Sequence, residues 1–227
     1  MSQMIKNSSV HTAYAPSLKG RLLQCAAASA AAWALLPTAA HAAIPPECDE
    51  QVNPNIFSCV VPAPDEVGQI GVNQDNTTIV IGSADTPTTV ITVEDIGIRL
   101  FGDGAQTIIV NEGSIVNSET GIGIYHEGDA LLSIFTGEGS LVSGGELSGI
   151  KTFNSAGDAA TNLNIQGSVI ARLSGISVAN NGVGGVNIVA RDVTSLESKA
   201  IGSGNNGDGG TNIDTTGGLV QGADGGV

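Results

Sequence analysis

The hexapeptide Asn180-Asn181-Gly182-Val183-Gly184-Gly185 returns as Asn205-Asn206-Gly207-Asp208-Gly209-Gly210. Nothing else in the chain constrains its fold as strongly as this echo. Laid out from it, residues 161–185 sit over 186–210, and 211–227 begin a third unit. Asn162, Asn187 and Asn212 fall in one column, Leu163, Ile188 and Ile213 in the next, and Ile176 stands over Ile201. Upstream, a step from a small residue to an aliphatic one recurs at Gly71-Val72, Gly97-Ile98, Gly121-Ile122, Gly149-Ile150, Gly175-Ile176 and Ala200-Ile201, spaced 26, 24, 28, 26 and 25 residues apart. A second landmark, Gly-Ser, begins at Gly82, Gly113, Gly139 and Gly167 and becomes Asp192-Val193 and Gly217-Gly218. Two landmarks in phase over most of the chain identify a repeat protein.

Each unit lacks the amphipathic run of ten or more good helix formers that a helical repeat needs. It carries short alternating stretches instead, which set Leu163 and Ile165 on one face of a strand and Asn162 and Asn164 on the other. Clusters of Gly and Asn between them supply the positive-φ corners of a coiling chain. Short strands, tight corners and a period near 25 predict an all-β, right-handed parallel β-helix of about six coils, the hand following from the preference of parallel crossovers. Identical side chains then stack one strand spacing apart, as aliphatic columns inside and Asn ladders at corners. Six coils make a rod roughly 30 Å long. Residues 84–95 (ADTPTTVITVED) lengthen one coil and are expected to bulge outward as a loop. The chain stops in mid-coil at Val227, with the strand edge and core of that coil uncovered, from which the natural polypeptide is expected to continue.

The first 42 residues read as a cleavable export signal. Lys6, Lys19 and Arg21 form a basic front, an apolar Ala-rich run follows, and Ala40-His41-Ala42 offers small residues for cleavage between Ala42 and Ala43. A membrane anchor is the alternative reading of the same run. Removal of this segment leaves 22 acids against Arg99, Lys151, Arg172, Arg191 and Lys199, a formal charge of −17. No basic patch exists for nucleic acid. The two remaining cysteines, Cys48 and Cys59, are expected to form a local disulfide in an oxidising compartment, pinning the segment 43–66 as an N-terminal loop or cap. Metal binding is the alternative, but the remaining chain has no further Cys and one His, His126.

Candidate chemistry is thin. A serine protease needs a nucleophile with a His base, and no nucleophile-elbow motif accompanies His126. Glu94-Asp95 and Glu127/Asp129 are the nearest approach to the carboxylate pair of a glycoside hydrolase, and both read as solvated turns. Tyr125 to Asp129 (YHEGD) is the one place where an aromatic ring, a His and two acids meet; it is expected as an exposed turn between coils. Asp208 and Asp214 lie in a Gly-rich stretch that invites a calcium reading, without the ordered nonapeptide of calcium-binding β-rolls. No catalytic residue, cofactor or metal site is assigned.

An extended export signal followed by Cys-poor, acidic coils of the form GI…NNGxGG…xNI resembles the N-terminal passenger of a bacterial autotransporter. The resemblance covers nearly the whole chain: signal 1–42, entry loop or cap 43–66 and coils 67–227. In that family the signal takes the chain to the periplasm and a C-terminal β-barrel translocator lets the passenger reach the cell surface, where it folds as a β-helix and often serves in adhesion. No stretch of this sequence has the roughly ten-residue alternating strands and aromatic girdles of such a barrel. The resemblance therefore implies a location at the cell surface or outside the cell if a barrel is attached, and in the periplasm otherwise. It implies a non-enzymatic surface protein whose partner is a host or cell-surface component. An exported β-helical enzyme acting on polysaccharide and a truncated remnant are the competing readings.

Overall fold

Residues 44–51, 55–93, 95–155 and 157–227 are described by a computed structural model. The predicted signal segment 1–42 and the cleavage point between Ala42 and Ala43 lie outside the described residues. The chain enters through an antiparallel hairpin of β1 (Cys48–Gln51) and β2 (Ile56–Cys59), in which Cys48 and Cys59 are register partners joined by a disulfide. Strand β2 then pairs in parallel with β4 (Thr78–Ile81), and Phe57 covers Ile79 at the end of the core. The entry segment is thus a β-structured cap.

Beyond it, alternating residues form strands too short to bury a face alone, so the chain stacks them coil upon coil along three faces. The first face holds β3 (Ile70–Asn73), β6 (Ile96–Phe101), β9 (Ile122–Gly128), β12 (Ser148–Asn154), β14 (Ser174–Asn180) and β16 (Ile201–Asn205). The second holds β4, β7 (Gln106–Val110), β10 (Leu132–Thr136), the first halves of β13 (Thr161–Ala171) and β15 (Val186–Ser195), and β17 (Thr211–Asp214). The third holds β5 (Thr89–Thr92), β8 (Ile115–Ser118), β11 (Leu141–Gly144), the second halves of β13 and β15, and β18 (Val220–Gln221). Every pairing between coils is parallel, and six coils with a period of about 26 residues make a parallel β-helix.

Each face sends one nearly uniform column inward. Ile70, Ile98, Ile124, Ile150, Ile176 and Ile201 are successive register partners on the first face. Val90, Val116, Val142, Val169, Val193 and Val220 follow one another on the third. On the second the column is Ile79, Ile108, Ile134, Leu163, Ile188 and Ile213. Burial of each aliphatic chain contributes about 1.5–3 kcal/mol, so these columns dominate the stability.

The columns also explain the small residue before each isoleucine from Ile98 to Ile201. A Cβ at Gly149 would lie 2.4 Å from Cγ1 of Val169 and 2.9 Å from the carbonyl oxygen of Gly175. The first face packs there directly against the valine column of the third. The opening hexapeptide is the next corner. Asn154, Asn180 and Asn205 are register partners that end β12, β14 and β16. Asn180 donates to the carbonyl of Gly184 and accepts from the N–H of Gly182, and Asn205 repeats both bonds with Gly209 and Gly207. Outward ladders run beside it, Asn206 to Asn181 at 2.8 Å and Asn187 to Asn162 at 3.0 Å.

Three expectations need correction. The small-to-aliphatic step is two residues out of register in two coils: Ile70 and Ile124, not Val72 and Ile122, stand in the isoleucine column. Because inward positions recur every second residue, Gly121-Ile122 and Gly123-Ile124 satisfy the same letters. Gly82-Ser83 likewise does not belong with Gly113-Ser114, for Thr88 occupies that corner and its N–H donates to Oγ of Ser114 at 3.1 Å. Finally, Thr89–Thr92 is strand β5 and not a bulge. The extra length lies before it, where residues 82–88 span a corner that 111–114 span in the next coil, closed by reciprocal backbone bonds between Ser83 and Thr86.

Close approach at the glycine column is directly checkable. Gly149→Ala should destabilise the protein by about 1–3 kcal/mol through overpacking. Gly202→Ala, where a Cβ meets nothing within 4 Å, should be close to neutral. Equal denaturation midpoints for the two variants would contradict the packing described.

Candidate outer-face binding site

Once the register is set, one outward surface differs from the rest. On the first face the outward positions of β6, β9 and β12 are Arg99 and Phe101, Tyr125 and Glu127, and Lys151 and Phe153, each pair stacked on the next. Above and below, the same positions hold Gly71 and Asn73, then Ser177 and Ala179, then Gly202 and Gly204. Large side chains therefore stand proud over three coils, between coils whose outward residues are mostly small.

Four of these six residues, Arg99, Phe101, Tyr125 and Glu127, form a connected arrangement. The guanidinium of Arg99 lies over the ring of Phe101, 4.6 Å from its centroid, a geometry in which the ring quadrupole attracts the cation. Phe101 meets Tyr125 edge to face at 5.9 Å. The Tyr125 hydroxyl donates to Oε2 of Glu127 at 2.8 Å. Burial, that hydrogen bond and the carboxylate charge push the phenol up to about 12, against the opposing pull of Arg99. Lys151 is exposed beside Tyr125 in register. The Nε of Arg99 is buried without a partner among the described residues.

The charge pattern separates this face from the remainder of the coils. In the strands of the six coils the only described carboxylates are Glu127, Asp192 and Asp214, one on each face. The other described acids of the coils stand at corners, where Glu146, Arg172 and Glu197 make a cross-coil chain of ion pairs and Arg191 reaches Glu138 at 3.2 Å. Arg172 and Arg191 are thus ion-paired. Arg99 and Lys151, on the first face, form no salt bridge among the described residues.

Of the residues singled out in the sequence, Tyr125–Gly128 belong to β9 and not to an exposed turn. Alternation sends Tyr125 and Glu127 outward while His126 is buried, 1% exposed. Asp129, past the strand end, accepts the hydroxyl of Ser155, so Glu127 and Asp129 are committed to different partners. Glu94 lies outside the described residues, and Asp95 is an exposed corner residue with φ of 61°. Asp208 sits exposed in a turn. Asp214 accepts both the N–H and the hydroxyl of Thr216, which hold its carboxyl below the ordinary range. No group of three or more His, Cys, Asp or Glu side chains among the described residues is placed to hold a metal ion. Cys48 and Cys59 are disulfide-bonded in the cap.

The clustered outer row escaped the sequence reading because its members come from three coils. The signal was available in the aligned segments Gly97-Ile98-Arg99-Leu100-Phe101, Gly123-Ile124-Tyr125-His126-Glu127 and Gly149-Ile150-Lys151-Thr152-Phe153. The first Gly-Ile of the GIGI string hid the middle line.

No protein-family model, curated protein or solved structure matches the chain.

His126 occupies an inward column with Leu100 on one side and Thr152 on the other, and neither of its ring nitrogens has a partner among the described residues. Burial disfavours the imidazolium and lowers its pKa from 6.5 to about 4. Below pH 6.5 the unfolded chain binds a proton that the folded chain refuses. The folded state is therefore fully stable above that value and loses stability as pH falls toward 4, by up to about 3 kcal/mol. His126→Leu should raise the melting temperature and flatten its dependence on pH between 6.5 and 4. An unchanged slope in that variant would show that other groups set the acid limit.

Proposed function

We propose that the chain is an exported structural protein, a β-helical scaffold similar to an autotransporter passenger, which acts by presenting its outer faces in adhesion or other cell-surface contact. The observation that carries this reading is the division of labour around each coil. Inward columns are uniform and aliphatic, acids collect at corners, and one outer face displays a compact set of aromatic and charged side chains. A corner-borne negative charge keeps a repetitive rod soluble and apart from its neighbours, while a flat outer row offers a surface for contact. The partner is a host or cell-surface component, and a β-barrel translocator delivers the chain to the surface. No residue is assigned a catalytic role.

The competing reading, an exported β-helical enzyme on polysaccharide, asks for two carboxylates flanking one bond. Each of the three strand carboxylates, Glu127, Asp192 and Asp214, stands on a different face, which favours the scaffold.

Fractionation of the cells that make the protein tests the proposal, using an antibody raised against residues 67–227. The expected result is antigen in the outer-membrane or extracellular fraction that protease removes from intact cells. Antigen confined to the periplasm would overturn the passenger reading, and antigen confined to the cytoplasm would overturn export itself.

A further inference from the structure

We propose that the outward row of β6, β9 and β12 is a binding site for a carboxylated oligosaccharide laid along the helix axis, with sugar rings on Phe101, Tyr125 and Phe153 and carboxylates on Arg99 and Lys151. The inference rests on the scaffold reading above and supplies the ligand class for its distinctive face. Three of the five aromatic side chains from residue 44 onward stand on this one patch, among Phe57, Phe101, Tyr125, Phe135 and Phe153. An aromatic ring face offers apolar surface to the axial C–H groups of a pyranose and a negative quadrupole to their positive edge. Adjacent coils lie about 4.8 Å apart, close to the length of one sugar unit in an extended chain. Successive units can therefore meet successive coils.

Charge selects the acidic sugar. Arg99 and Lys151 flank Tyr125 in the same outward line, and neither is in a salt bridge among the described residues. The Nε of Arg99 lies buried without a partner among the described residues, so the hydrogen-bonding capacity of this guanidinium is not used up within the fold. The phenol of Tyr125 engages one oxygen of Glu127, and a carboxylate there also accepts from sugar hydroxyls. The overall negative charge of the chain does not oppose this contact strongly. Glu127 is the one carboxylate within the strands of this face and is engaged by the Tyr125 hydroxyl, while acids at the corners are screened over about 8 Å at physiological ionic strength. Two cations are too few for a nucleic acid backbone, whose binding scales with the number of phosphates neutralised. The backbones of β6, β9 and β12 are already paired above and below, which leaves no edge at this row for an added peptide strand.

Calorimetric titration of the full chain with hexamers of β-1,4-mannuronate and α-1,4-galacturonate tests the proposal, with cellohexaose as the uncharged counterpart. At least one carboxylated hexamer should bind, with an affinity that falls as salt is raised and exceeds that of cellohexaose by about tenfold or more. Tyr125→Ala and Lys151→Gln should each weaken binding by about tenfold, whereas Phe135→Ala on the second face should not. Melting temperatures report whether the outward substitutions leave the fold intact, and Lys151→Gln changes charge alone if Tyr125→Ala does not. Failure of both acidic hexamers to bind, equal binding of cellohexaose, or indifference to Lys151→Gln would overturn the proposal. The titration reads binding by purified protein and the fractionation reads location, so the two proposals can fail independently.

Discussion

Everything in this molecule depends on one repeated contact: a side chain stacked on its own kind, one strand spacing above and below. Ile98 on Ile124 and Val116 on Val142 fill the same volume in every coil, so the backbone can repeat without adjustment. Where the third face presses closest to the first, the same repetition demands Gly97, Gly123, Gly149 and Gly175. The column is therefore both the source of burial energy and the ruler that keeps coils congruent. Where it changes identity, as at His126 between Leu100 and Thr152, a polar group without a partner among the described residues is carried in the core and stability becomes dependent on pH.

That contact also explains how much could be read from the letters. The last coils were legible residue by residue, since Asn162 over Asn187 and Ile176 over Ile201 are the register of the structure. They are nearly gapless and share two landmarks. Upstream, the period-two alternation of a strand makes a shift of two residues invisible to a hydrophobic pattern, which is why the small-to-aliphatic landmark falls on Ile122 and Val72 where Ile124 and Ile70 hold the column. Insertions hide in corners. Three residues added before Thr88 moved the Gly-Ser landmark off its column without altering any strand. The disulfide partners were local and few, whereas the outer row of Arg99, Tyr125 and Lys151 became visible only when three coils were aligned to the residue.

The two populations of charge have different physical roles. Acids at corners project into solvent from turns already rich in Asn and Gly, where they cost the fold little and space neighbouring molecules apart. Charges within a strand must share a flat sheet with side chains about 5 Å away. On the first face Arg99, Glu127 and Lys151 are interleaved with rings in just that manner, a denser chemistry than any corner offers. An acidic protein can thus carry a locally cationic, aromatic surface without contradiction, because the two lie on different parts of each coil.

The bulge within β13, where the register slips between Ile165 and Ser168, fuses two faces into one continuous strand. The corner spanned by Gly113 and Gly139 with positive φ in earlier coils is there straightened. Coils that differ in this way still present identical inward columns. Length and outline are accordingly separate variables in the design of the rod. It can grow only by whole coils, since losing one residue inside a strand would turn that strand's inward side chains to solvent. Its outline can be redrawn residue by residue at the corners, as the enlarged turn before Thr88 already demonstrates. Such a body can diversify its surface freely while its interior admits almost no change.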